Sequence, residues 1–167
     1  MSKHETPMTE WYWRTLNDGK GLLIREFPAV EGGKGRAEGK RHIDGVITFD
    51  SLRAGGCPDG VERLILRTDR TVASGQFPEE WPTLAPETVD ALLRGGLRLL
   101  AVDCPSVDAR SSTTLDVHHR IFGGGAYVLE NLDLRRIAAG PYHLHAAPLA
   151  TGAFDAAPAR ALLTPLT

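Results

Sequence analysis

The sequence predicts an α/β fold, and three neighbouring segments carry this prediction. Residues 61–67 have the composition of a strand, and residues 97–102 form a largely apolar run that is typical of a buried parallel strand. Between them, Pro86 opens a stretch with apolar residues on one helical face, and two glycines end it. A strand, a helix and a strand in this order indicate a right-handed crossover. We therefore expect Asp103 at the carboxyl end of the second strand, the edge where α/β sheets place their sites.

Four further short segments have strand character and extend the predicted sheet. They are residues 43–49, 126–129, 142–149 and 160–163. Three consecutive glycines precede the second of these segments, and no Lys-Ser or Lys-Thr pair follows them. The glycines therefore indicate a turn or a flexible cover, not a phosphate-binding loop.

The first part of the chain predicts a β-hairpin followed by a charged loop. Aromatic and branched residues at 11–16 and 22–27 flank Asp18-Gly19, a pattern typical of hairpin turns. The Trp-Tyr-Trp cluster within the first run could stack on bases, but the chain has no basic excess to support that role. We interpret the cluster as an aromatic face that covers the core. Residues 31–41 predict the charged loop.

Lysine usage divides the chain into two stretches. All four lysines lie within the first 40 residues, and arginine replaces lysine throughout the rest. A stretch of 45 residues seldom buries enough surface to fold alone. We therefore expect residues 1–45 to form a β-rich extension of different composition, and residues 46–167 to form the α/β domain.

The composition predicts a soluble cytoplasmic protein. Hydrophobic residues make up 42% of the chain and charged residues 24%, and the formal charge of −2 removes the electrostatic reason to expect nucleic acid or an anionic membrane as partner. No apolar run approaches the roughly 18 residues of a membrane span, and the first residues lack a signal-peptide core. Cys57 and Cys104 are too few for a disulfide framework and lack a zinc-type C-x-x-C spacing.

Several blocks of the sequence resemble a known family. In chain order they are Leu64-Ile65-Leu66-Arg67-Thr68, Leu84-x-Pro86-x-x-Val89-x-x-Leu92, Val102-Asp103-Cys104-Pro105-Ser106-Val107-Asp108, Asp116-Val117-His118-His119-Arg120, Val128-Leu129-Glu130-Asn131-Leu132, Pro141-Tyr142-x-Leu144-x-Ala146-x-Pro148-Leu149 and Asp155-x-x-Pro158-x-Arg160-Ala161. At this order and spacing they resemble the cyclase family that contains bacterial kynurenine formamidase. The resemblance runs from about Ile47 to the C-terminus, nearly three quarters of the chain.

The resemblance implies both a fold and an activity. The fold is a swivelling β/β/α (cyclase-like) fold, here shortened and preceded by the β-rich extension. The activity is that of a metal-dependent amide hydrolase, which releases formate from N-formylkynurenine in tryptophan breakdown. The implied cofactor is zinc, or manganese in its place, the implied substrate is a small aryl formamide, and the implied assembly is a homodimer.

The same resemblance implies metal ligands. The family supplies a histidine and, twelve residues later, a glutamate, which correspond here to His118 and Glu130. Imidazole and carboxylate are ordinary zinc ligands, and zinc can activate water for attack on an amide carbonyl. His119, beside the first of them, is interpreted as a structural residue or as a partner of the ligands.

The family's other metal motif, His-x-Gly-Thr-His-x-Asp, is altered in this chain. His42 and Asp44 fit its last two ligands, whereas Glu38 stands at the first histidine and Thr48 at the proton-transfer histidine. Only 19 residues separate Asp44 from Leu64, where the family has a longer passage. Two interpretations compete, a rebuilt ligand set and a charged loop that matches by accident, and these departures from the motif favour the charged loop. No catalytic residue is assigned.

Other residues that carry chemistry have structural interpretations. His143 and His145 share one face of a predicted strand and could chelate zinc, but the family's matching positions are not ligands. The family usually has threonine at the position of Cys104, so the resemblance implies a packing role there, and Ser106 has no flanking glycines of a nucleophile elbow.

The sequence leaves three functional hypotheses. In the first, the chain is a formamidase-like hydrolase that uses His118 and Glu130, and the missing ligands come from His42 and Asp44 or from a partner subunit. Alternatively, it is a shortened relative without metal that acts as a binding or interaction protein. In the third hypothesis it is the inactive product of a rearranged gene.

Overall fold

The computed structural model describes residues 22–26, 45–150 and 155–166. They contain eight strands, β1 (Leu22–Glu26), β2 (Val46–Ile47), β3 (Arg63–Arg67), β4 (Thr83–Leu84), β5 (Leu99–Val102), β6 (Tyr127–Leu129), β7 (Gly140–Pro148) and β8 (Ala159–Pro165). The helices in this part are α1 (Phe49–Ala54), α2 (Pro86–Arg94) and α3 (Asp116–Gly123), with a short 3-10 helix at Val72–Ser74. The chain divides into two compact units, one of Leu23–Gly140 and one that contains Pro141–Thr167. No helix in the described ranges is long and apolar enough to cross a membrane.

The larger unit is built on a parallel sheet with the strand order β6-β5-β3-β1. In its centre, Leu64 lies opposite Leu100 and Leu66 opposite Val102. The side chains of β5 are all buried, which explains why its sequence is an uninterrupted apolar run and does not alternate. The predicted strand–helix–strand unit and the α/β fold class are thereby confirmed.

Strand β1 confirms the strand that the sequence predicts near residues 22–27. Its backbone pairs in parallel with β3, from Leu23 opposite Leu64 to Glu26 opposite Arg67. The other half of the predicted hairpin, residues 11–16, and the predicted charged loop at 31–41 lie outside the described residues. The division into 1–45 and 46–167 stays a prediction.

Helix α2 begins and ends where its sequence indicates. Pro86 occupies the first turn, where its missing N–H leaves no hydrogen bond unmade. Val89 and Leu92 are buried in the core that covers β3 and β5, and Gly95 caps the helix. Helix α3 packs beside α2, and it is followed by Gly124 and Gly125, the predicted turn. Gly125 has a φ of +74°, in the left-handed region that glycine adopts without the steric cost of a Cβ atom.

One predicted strand is shorter than the sequence indicates. Residues 43–49 predict a strand, but β2 ends at Ile47 and pairs only with β4. The Thr48 hydroxyl accepts a hydrogen bond from the Ser51 backbone N–H at 3.2 Å. This is an N-cap, and it starts helix α1 at Phe49, so that part of the prediction was wrong.

The smaller unit contains an antiparallel hairpin of β7 and β8, which confirms the strands predicted near 142–149 and 160–163. Leu144 lies opposite Leu163, and Ala146 lies opposite Ala161. Leu144 and Ala146 are buried, whereas His143 and His145 on the opposite face are exposed. The two histidines therefore share one strand face, as their spacing predicts.

Asp103 joins the ends of β3 and β5. Its side chain is 1% exposed, and Oδ1 accepts hydrogen bonds from the Thr68 backbone N–H at 2.7 Å and the Thr68 hydroxyl at 2.6 Å. Oδ2 accepts another from the Asp69 backbone N–H at 2.9 Å. Burial raises the pKa of Asp103, and these three hydrogen bonds oppose the rise. The carboxylate thus fixes the loop after β3 on the end of β5.

Replacing Asp103 tests this connection. We expect Asp103→Ala to lower the free energy of unfolding by about 3 kcal/mol, because buried donors lose their acceptor. Thr68→Val removes one donor and leaves the carboxylate with its backbone bonds, so about 1 kcal/mol is expected. Urea unfolding followed by circular dichroism measures both changes. Equal losses in the two variants would contradict a central role for the carboxylate.

Candidate functional site

The site is centred on His118, in the first turns of α3. The residue before this helix, Leu115, has no side-chain oxygen to cap it and lies at φ +51°. The carboxylate of Asp108 takes over that task from the loop after β5. Its Oδ1 accepts a hydrogen bond from the Val117 backbone N–H at 2.9 Å, and its Oδ2 accepts one from the His118 backbone N–H at 3.1 Å. A remote carboxylate therefore caps α3.

The imidazole of His118 lies between two carboxylates. Its Nδ1 is 2.7 Å from Oδ2 of Asp108, and its Nε2 is 3.2 Å from Oε1 of Glu130. Glu130 follows β6, and its Oε1 also accepts a hydrogen bond from the Val107 backbone N–H at 2.8 Å. The loop after β5, the helix α3 and the end of β6 therefore meet at this ring.

The two carboxylates determine the protonation of the ring. The hydrogen bond to Glu130, with that to Asp108, raises the pKa of His118 to about 8 against the opposing effect of burial. For Asp108, burial acts to raise the pKa. Its hydrogen bonds from Val117 and His118 outweigh that effect and hold the pKa below the usual value. In the metal-free chain, a protonated His118 thus bridges two carboxylates at neutral pH.

The structure brings together some of the predicted site residues and not others. His118 and Glu130 are adjacent, as the resemblance implies, and their role as metal ligands stays a prediction. His42 and Asp44 lie outside the described residues. His119 is exposed on the next position of α3. His143 and His145 are exposed on β7.

Cys104 and Ser106 have structural surroundings. Cys104 is 1% exposed, and burial raises the pKa of its thiol to about 12, so the reactive thiolate is not available at neutral pH. The Ser106 hydroxyl accepts a hydrogen bond from the Asp108 backbone N–H at 3.1 Å, which shapes the loop that carries Asp108. These contacts support structural roles for both residues.

Asp108 and Trp81 are site residues that the sequence interpretation did not assign. The Trp81 Nε1–H donates a hydrogen bond to the backbone carbonyl of Asp108 at 2.9 Å. A signal for Asp108 was present in the sequence, since Leu115 before α3 is a poor N-cap and an acidic residue follows the β5 strand at short range. No comparable signal connects Trp81 with Asp108, 27 positions later.

The atoms around His118 fit part of a zinc site. A histidine ligand commonly donates its second ring N–H to a carboxylate, which is the position of Asp108. Two ligands at zinc bond lengths of about 2.0 Å and a tetrahedral angle lie about 3.3 Å apart, close to the 3.2 Å between Nε2 and Glu130. The described part of the chain contains no group of three or more histidine, cysteine and acidic residues that could hold a metal ion. The pair therefore fits as two ligands of a larger set.

The pH dependence of the metal-free protein tests the ion-pair geometry. Because the pKa of His118 is raised from 6.5 to about 8, the stabilisation by its carboxylates is complete below pH 6.5 and is lost as pH rises through about 8. We expect the His118 ring signal in NMR to titrate near pH 8, and Glu130→Gln to move that midpoint down. His119→Gln should leave it in place. A His118 midpoint that Glu130→Gln does not move would contradict the geometry.

Comparison with curated proteins identifies relatives of the chain. It is 41% identical over 108 residues to a kynurenine formamidase of Bacillus cereus, covering 65% of this chain and 52% of that protein. The chain is 42% identical over 108 residues to a kynurenine formamidase of Bacillus cytotoxicus, which again covers 65% of this chain and 52% of that protein. The chain thus spans about half the length of these curated relatives. No protein-family model matches the chain.

Solved structures show the same fold. A structure described as a potential metal-dependent hydrolase with cyclase activity matches with a TM-score of 0.65 at 22% identity, covering 86% of this chain and 63% of the other. An isatin hydrolase bound to the product analogue thioisatinate matches with a TM-score of 0.64 at 19% identity, covering 87% and 60%. The predicted cyclase-like fold class is confirmed. Over 65% of its length, the chain is similar to bacterial kynurenine formamidases, as its sequence blocks indicate.

Proposed function

We propose that the chain is a metal-dependent amide hydrolase that resembles kynurenine formamidase. Its substrate would be a small aryl formamide such as N-formylkynurenine, which is hydrolysed to kynurenine and formate in the cytoplasm. The single observation that carries this proposal is the pairing of His118 Nε2 with Glu130 at 3.2 Å, with Asp108 on the other ring nitrogen. The similarity to formamidases at 41% identity supports the choice of reaction.

His118 and Glu130 would hold the metal, and Asp108 would orient the ring. In the metal-bound state, Nδ1–H would donate to Asp108, and this hydrogen bond would fix the tautomer that carries its proton on Nδ1. The lone pair of Nε2 would then be available to a metal ion. The Val107 backbone N–H holds the Glu130 carboxylate in place. A bound zinc ion, or manganese in its place, supplies Lewis acidity that polarises the amide carbonyl. Because Asp108 also caps α3, the orientation of His118 is tied to the helix itself.

The remaining ligands would come from residues beyond this pair. Catalytic zinc sites in proteins commonly use three protein ligands. His42 and Asp44 are the candidates in this chain, since they match the end of the family's other metal motif. A partner subunit in a homodimer is the alternative source.

A second candidate function follows from the side chains around His118 and Glu130. The described residues hold no group of three histidine, cysteine and acidic side chains that could bind a metal ion. A shortened relative without metal would keep the fold as a binding or interaction protein. The inactive product of a rearranged gene would share these properties and bind no partner.

Metal content and turnover distinguish the candidates. After incubation with zinc and dialysis, we expect about one or two zinc ions per chain and formate release from N-formylkynurenine. His118→Ala and Glu130→Ala should each reduce bound zinc to near zero and abolish turnover, because each removes one of the two ligands. Elemental analysis and a formate assay measure these quantities.

His119→Ala is the matched control, since it removes a neighbouring exposed histidine from the same helix. It should retain zinc and turnover, as should His143→Ala. If both His118→Ala and Glu130→Ala retain zinc in full, the assignment of these residues as ligands is contradicted. Wild-type protein that takes up no zinc and releases no formate would favour the second candidate.

A further inference from the structure

An exposed aromatic side chain and an exposed cation lie together at the loop that carries Asp108. The ring of Phe77 is 61% exposed and so accessible to a ligand. The guanidinium of Arg110 lies over this ring, 5.7 Å from its centroid, and Arg110 itself is exposed. The pair therefore presents an apolar surface and a positive charge at one place.

A short series of contacts connects this pair with His118. Phe77 packs edge-on against Trp81 with 5.9 Å between the ring centroids, and Trp81 donates its indole N–H to the backbone carbonyl of Asp108. The side chain of Asp108 holds His118. Arg110 is two residues from Asp108, which limits the distance between their Cα atoms to about 7.6 Å. The exposed pair is thus anchored to the residue that orients the site.

Within the described part of the chain, no carboxylate forms an ion pair with Arg110. Its guanidinium contacts the ring of Phe77 instead. Arg53 offers a comparison, because it lies 6.0 Å from the Phe49 centroid but also pairs with Asp59 at 3.3 Å. Of these two arginine–phenylalanine pairs, only that of Arg110 and Phe77 has no carboxylate partner among the described residues.

We infer that Phe77 and Arg110 form a recognition site for an aromatic ligand that carries a carboxylate. The ring of the ligand would pack on Phe77, and its carboxylate would accept hydrogen bonds from the Arg110 guanidinium, the group best shaped to bind a carboxylate. This inference rests on the proposed function for its relevance, since it makes the substrate an aryl formamide that also carries a carboxylate. The binding step itself needs neither metal nor turnover.

The experiment measures binding of two fluorescent probes to chelator-treated protein. The probes are 2-aminobenzoate, which carries a carboxylate, and 2-aminobenzamide, its neutral counterpart. We expect wild-type protein to bind the acid at least fivefold more tightly than the amide, with a difference that shrinks at high salt. Arg110→Ala should remove most of that preference and leave the affinity for the amide within twofold. Phe77→Ala should weaken both probes.

Arg53→Ala is the matched control, because it removes an arginine from the other arginine–phenylalanine pair. It should keep the wild-type preference, and Arg110→Lys should keep part of it. Equal binding of the two probes by wild-type protein, a preference that survives Arg110→Ala, or no binding of either probe would each overturn the inference. Because the titrations use metal-free protein, absence of zinc uptake or formate release would contradict the proposed hydrolase and leave this site standing.

Discussion

The candidate site depends on one carboxylate, that of Asp108. Its two oxygens cap α3 through the backbone N–H groups of Val117 and His118, and one of them also holds Nδ1 of the His118 ring. Helix position and ring orientation therefore depend on the same group. A cap of this kind both satisfies backbone donors and places negative charge at a helix N-terminus, where the helix dipole favours it.

The parallel sheet explains why these groups meet. Strands β3, β5 and β6 run in the same direction, so the loops that follow them begin at one edge. Asp103 fixes the loop after β3, Asp108 belongs to the loop after β5, and Glu130 follows β6. Each carboxylate accepts backbone N–H groups from a neighbouring segment. Acidic side chains therefore connect separate loops at the carboxyl ends of the strands, the edge where α/β sheets place their sites.

One ring nitrogen of His118 has two proposed roles. The 3.2 Å between His118 Nε2 and Glu130 Oε1 is compatible with two ligands of one metal ion, the role proposed for this pair. In the metal-free chain the same pair is an ion pair that raises the pKa of His118. Proton and metal would therefore compete for Nε2, because both bind to its lone pair.

The sequence by itself determined the main strands, helix α2 and the relationship to formamidases. Buried apolar runs and a Pro86 start signal act locally, and the motif blocks can be compared position by position. It failed where local signals compete. The strand predicted at 43–49 ends early because Thr48 caps a helix there. Helix α3 has no side-chain cap at its first residue from which the sequence could predict its start.

Only the tertiary structure decided what surrounds His118. Asp108 is ten positions away in the chain, Glu130 twelve, and the Trp81 contact with Asp108 spans 27. Phe77 and Arg110 also meet only because two loops fold together. These residues show no periodic pattern in the sequence, because they lie in the loops that follow the strand ends. Sequence pattern thus determines the elements, and packing of the loops determines the chemistry at their ends.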